Sequence, residues 1–226
     1  MIGLSYGNFQ SGGGVPPFSF GNALEFDGVN DYVSFDGINL SEGCISMWYK
    51  TPIDGGVFLL SGDDSDTNNE FEIWARANRA YIAVERQGVL NTTLNTPSQA
   101  LNTWHHVFLK LTTNQVSLWF DGQASSQNPI NLAGDFSIKR MGARSSLAST
   151  SNIVLDEVAI WNTAFDLPNN LYSTGNGDYA TNYSPANLQA YWRMNGVSGD
   201  GTAVDEQGTY NGTLNNFDTA TCWVAH

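Results

Sequence analysis

The sequence predicts an all-β fold: a jelly-roll sandwich of two packed antiparallel sheets. Three observations lead there. Short runs of alternating apolar and polar residues recur along the chain, with turn residues between them. No stretch holds a 3.6-residue apolar period over helix length. The composition, 41% hydrophobic and 12% aromatic with 23 glycines, suits a large core crossed by many tight turns.

The run at 23–35, ALEFDGVNDYVSF, organises the rest. Leu24 and Phe26 alternate with Glu25 and Asp27, as in a half-buried strand. Residues 27–31 then form an acidic turn, and Val33 and Phe35 resume the alternation. Asp27, Asn30 and Asp31 put three oxygen-bearing side chains within five residues. Such a set suits a hard cation, or caps the turn through its own backbone. Both readings stand at this point.

Residues 1–20 contain SGGGVPP and read as an extended arm. We expect a partner, or the domain's own edge, to hold it. Strands are expected at 44–50, 56–61, 70–75, 79–86, 101–111, 115–120, 136–143, 152–161 and 188–194. The second of these ends in Asp63, Asp64 and Asp66, a loop acidic enough to face solvent or to line a binding face. Residues 70–75 and 79–86 pair as a hairpin about Ala77-Asn78. One helical turn is expected near 166–172. Cys44 and Cys222 sit in apolar strands and read as buried thiols, with a mutual disulfide as the alternative.

The net charge of −13 disfavours nucleic acid and anionic membranes as partners. No apolar run reaches membrane-spanning length. Residues 1–11 lack a basic stretch followed by a long apolar one, so no secretory signal is expected there.

Several pieces together resemble the laminin-G-like, concanavalin A-like jelly-roll family. They are ALEFDGVNDYV at 23–33, ISMW at 45–48, WHHV at 104–107, LWFDG at 118–122, MGA at 141–143 and LDEVAIWN at 155–162. LQAYWRMN at 188–195, Val204-Asp205 and YNGTL at 210–214 resemble the opening strands of such a domain, yet here they come last. A circular permutation accounts for this, with residues 186–226 completing one domain that spans 21–226. A truncated second copy is the alternative. It would leave Trp192, Leu214 and Trp223 without a core.

The resemblance implies a structural calcium held by Asp27, the Gly28 carbonyl, Asp31 and Asp156. The competing reading makes Asp156 a strand carboxylate bonded to the turn. LDEVAIWN followed by LQAYWRMN also resembles structural proteins of tailed phages. That implies a virion surface protein, a capsid decoration or a tail or fibre component. It would be made in the host cytoplasm, anchored to other virion proteins through residues 1–20, and oligomeric in the assembly. Host surface glycans are its further expected partner. The runner-up is a calcium-dependent carbohydrate-binding module, acting outside cells.

Sugar binding needs aromatic faces and polar loops. Trp74, Tyr81, Trp119 and Trp161 are the aromatic candidates, with Asp63, Asp64 and Asp66 beside Trp74 and Tyr81 as the favoured set. Core packing is the alternative for each aromatic. A glycosidase is not expected. Retaining hydrolysis needs two carboxylates about 5 Å apart across the sugar. Glu70 and Glu72 supply only part of the motif used by glucanases of this fold. Asp156 and Glu157 are adjacent, so a regular strand turns them to opposite faces. His105 and His106 are separated in the same way.

Overall fold

The computed structural model describes residues 20–62, 71–77, 81–86, 89–129, 136–168, 170–171 and 179–226. Among these, sixteen strands form two sheets of eight. The first sheet runs β10 (Gln123–Pro129), β9 (Gln115–Phe120), β8 (His105–Thr112), β3 (Gly43–Lys50), β12 (Asn152–Trp161), β1 (Asn22–Asp27), β16 (Trp223–Ala225), and β13 (Leu188–Trp192) also pairs with β12. The second runs β14 (Thr202–Ala203), β15 (Gly212–Asn215), β2 (Tyr32–Leu40), β11 (Phe136–Met141), β4 (Gly56–Ser61), β5 (Phe71–Arg76), β6 (Tyr81–Arg86), β7 (Val89–Asn95). All pairings are antiparallel, and the whole is the predicted sandwich.

Alternation builds the core. Leu24 and Phe26, Val33 and Phe35, Ile45, Met47 and Tyr49, and Phe71 and Ile73 point between the sheets and are buried. Burial of this kind supplies roughly 25 cal/mol per Å² of apolar surface. The C-terminal segment is part of this core. Trp192, Met194, Ala203 and Cys222 belong to it, with Leu214 and Trp223 packed alongside. β16 lies on β1, β15 on β2 and β13 on β12. The tail therefore closes the sandwich beside the opening strand.

β3 is buried on both faces apart from its last residue. A second apolar cluster explains this. Cys44, Phe108, Ala159, Trp161, Leu171 and Tyr191 pack on the outer face of the first sheet. Phe165, Leu167, Tyr179 and Tyr183, which follow β12, pack against them. The chain after β12 is pinned where Trp161 Nε1 donates to the Tyr183 carbonyl and Asn162 N to that of Asn187. A single turn closes from Leu171 N to Pro168 O, and two short 3₁₀ turns, Ala180–Asn182 and Pro185–Asn187, follow. The cysteines are free thiols, both buried. Cys44 exchanges hydrogen bonds with the Phe165 backbone, and burial pushes its thiol up to about 12.

Of the arm, only Phe20 falls among the described residues. It stacks on His226 at 3.8 Å and meets Trp48 edge-on at 5.2 Å. Asp63, Asp64, Asp66 and Glu70 lie outside the described residues.

Candidate functional site

The strongest candidate is the outer face of the second sheet. On β5, Phe71, Ile73 and Ala75 face the core, which leaves Glu72, Trp74 and Arg76 on the other side. Trp74 pairs with Phe58 on β4 and with Ala83 on β6, while Arg76 pairs with Tyr81. Directly opposed residues share a face, so these side chains form one surface. The Trp74 ring lies 5.7 Å from Tyr81, edge to face, and 6.2 Å from Phe58. The Arg76 guanidinium sits 5.7 Å from the Trp74 ring centre. Small Ala83 opposite Trp74 leaves space for the indole. Trp74 and Tyr81 are half-buried, and Trp74 Nε1 has no hydrogen-bond partner. Neither aromatic belongs to the two core clusters.

The other aromatic candidates differ. Trp161 is fully buried in the second cluster. Trp119 leans on that cluster through Phe108 and borders a groove with Lys110 and Asp166.

Glu72 has a structural place. It is 1% exposed and accepts from Ser145 N at 3.0 Å and Ser145 Oγ at 2.7 Å. It anchors the loop after β11 and does not face an open cleft.

The residues expected to share a calcium do not form one shell. Asp27 Oδ1 accepts from Val29 N at 2.7 Å and Asn30 N at 3.3 Å, and Asp31 Oδ2 accepts from Asp27 N at 3.0 Å. This is the turn-capping arrangement. Burial raises the Asp31 carboxyl, and its Oδ1 is unpartnered. Asp27 pairs with Asn152, whereas Asp156 is four residues further along β12, about 13 Å away at the usual rise per residue. There Asp156 bonds His226 at 2.6 Å. Asp156 is therefore remote from the turn, contrary to both readings of its role. Among the described residues no group of three or more His, Cys, Asp and Glu is placed to hold a metal.

Asp156 and Glu157 also depart from expectation. The register of β12 against β3 slips between Asp156 and Ala159, and Glu157 takes φ +50°. This β-bulge turns both carboxyls to the outer face. Asp156 is fully buried and Glu157 is 7% exposed. Burial, and for Glu157 the neighbouring Asp156 charge, pushes both up to about 8. Tyr191 donates to Glu157 Oε2, and Arg193 stands 3.8 Å from Oε1. His106 bonds Ser46 at 2.9 Å nearby. The void at Glu157 is about 10 Å³, room for about one water and not for a sugar. His226 lies flat between Phe20 and Trp104, at 3.8 and 3.9 Å, and closes this corner.

The sequence matches the family described as the concanavalin A-like lectin/glucanases superfamily, Laminin_G_3, over residues 27–169. No curated protein matches it. Among solved structures, a candidate carbohydrate-binding protein from Bacteroides ovatus superposes with TM-score 0.67 at 18% identity, covering 92% of this chain and 62% of that one. The chain thus spans less than two thirds of that relative's length. A heptameric SAP-like pentraxin from Limulus polyphemus gives TM-score 0.58 at 11% identity, over 70% of this chain and 84% of that one. At these identities the likeness is one of fold. On the match over residues 27–169, the chain belongs to the concanavalin A-like lectin/glucanases superfamily.

Proposed function

We propose that the chain is a non-catalytic carbohydrate-binding domain, and that it binds a glycan on the Trp74–Tyr81 face of the second sheet. One observation carries this reading: a paired Trp and Tyr stand off the core, flanked by a guanidinium, on a sheet whose core positions are already filled. A pyranose offers an apolar face for such rings and hydroxyls for Arg76 and Tyr81 Oη. The lectin membership of the family and the assignment of the Bacteroides ovatus protein support the same reading. The buried state of Glu72, Asp156 and Glu157 supports the non-catalytic part, because none of these carboxyls reaches a sugar-sized space.

A glycan array tests it. The wild-type chain should give specific hits that Trp74→Ala and Tyr81→Ala both lose while their melting curves stay cooperative. Hits that survive both substitutions would move the site elsewhere. The expected virion attachment through residues 1–20 rests on the resemblance alone, and electron microscopy of particles carrying the chain would test it.

A further inference from the structure

A second cleft lies at the open edge of the sandwich, between β13, β14 and β16. It holds about 280 Å³ and is built wholly from residues 193–223, outside the family match at 27–169. Two of the side chains that line it, Trp223 and Arg193, are held from behind. Trp223 packs flat against Gly196, where a Cβ would collide with the indole, and donates Nε1–H to the Asp200 carbonyl at 3.1 Å. Arg193 lies over the Tyr179 ring at 4.4 Å, with Glu157 behind it at 3.8 Å. Val204 and Glu206 flank Asp205, which is 2% exposed. Asp205 accepts from the backbone N–H groups of Tyr191, Gln207, Thr209 and Tyr210 at 2.8–3.0 Å. The loop carrying Val204 and Glu206 is thus tied into a rigid knot.

The lining therefore combines an apolar wall of Trp223, Met194 and Val204 with a guanidinium and two exposed carboxylates, Asp200 and Glu206. Donor and acceptor charges on either side of an aromatic edge suit a ligand whose hydroxyls both donate and accept. The net sign is negative, since one guanidinium, Arg193, faces the two carboxylates of Asp200 and Glu206 in the cleft. An acidic sugar would meet uncompensated like charge.

We propose that this edge cleft is a second saccharide subsite, taking a single pyranose unit that is neutral or amino-bearing and excluding uronic and sialic acids. It shares no residue with the Trp74–Tyr81 face, so the two sites stand or fall separately.

The test is a titration of the ¹⁵N-labelled full chain, read at the tryptophan indole N–H resonances. The Trp223 and Trp74 signals are assigned from Trp223→Phe and Trp74→Phe. Glucose, glucosamine and glucuronate are the probes. We expect the Trp223 signal to shift with glucose and glucosamine, saturating in the millimolar range as single-sugar contacts do, and to stay fixed with glucuronate. Val204→Tyr, at a position 61% exposed, should fill the cleft and abolish that shift without unfolding the chain. Trp74→Ala should leave it intact. A Trp223 signal unmoved by glucose and glucosamine would overturn the proposal, even where the Trp74 signal responds to other glycans. An equal response to glucuronate would overturn the charge argument, and a shift that survives Val204→Tyr would overturn the location.

Discussion

Asp156 and Glu157 are chain neighbours, yet both carboxyls leave β12 on the same side. The bulge between β12 and β3 makes this possible, with Glu157 in the left-handed region at φ +50°. A non-glycine residue is strained there by about 1–3 kcal/mol. Tyr191 and Arg193 hold Glu157 in place, and His226 holds Asp156. The result is a pair of buried acids beneath the Phe20–His226–Trp104 stack.

This pair sets an unusual pH dependence. Both folded-state values, about 8, lie above the ordinary 3.8 and 4.5, so folding takes up protons as pH falls through that window. Stability from these groups is full at low pH and is lost as pH rises towards 8. The groups facing them act oppositely. His106 and His226 are pushed down by burial to about 3 and 4, so their contribution is lost as pH falls below the usual histidine range. Above about pH 6.5 the contribution of these two histidines levels off, while that of the acids keeps falling up to about pH 8. The melting temperature should fall as pH rises across that interval, measured by calorimetry in matched ionic strength. The double variant Asp156→Asn, Glu157→Gln should flatten the slope.

The Asp27–Asp31 turn should behave as a capped turn. Asp27→Ala removes two acceptor contacts and should cost about 1 kcal/mol in denaturant unfolding. Calcium and chelator should give the same melting temperature, because Asp156 lies far from the turn. A rise of several degrees with calcium, lost in Asp31→Asn, would restore the calcium shell.

Gly142 tests the packing between the sheets. It sits at φ +78°, and a Cβ there would strike the Phe26 ring. Gly142→Ala should lower stability by at least about 2 kcal/mol, combining backbone strain with overpacking. Ala at Gly208, which shares positive φ but has open space around it, should cost less, and the difference between the two measures the Phe26 contact.

Much of this architecture is legible in the sequence because alternation reports burial directly. Residues 23–35 read correctly as strand, turn and strand, and so do 115–120 and 152–161 as strands. The strand β10 is hidden because QASSQNP has no large apolar residue to alternate with its polar ones. The cover over β3 is hidden because residues 162–187 carry no period. Phe165, Leu167, Leu171, Ala180 and Tyr183 find Cys44, Phe108 and Trp161 only once the sheet exists. Trp74 and Tyr81 were legible as candidates by type alone, and only register against Phe58, Ala83 and Arg76 removes them from the core. The slip that turns Asp156 and Glu157 together has no glycine to announce it. The edge cleft is hidden for another reason: Arg193, Val204 and Trp223 lie on separate strand ends and loops of the C-terminal segment and meet only through the tertiary fold.

The central claim is that glycan lies on the Trp74–Tyr81 face. A crystal structure of the full chain with its best array hit tests it most directly. A pyranose should stack on Trp74, within hydrogen-bond reach of Arg76 and Tyr81 Oη. A glycan bound away from the second sheet's outer face, or an array with no hits at all, would contradict it.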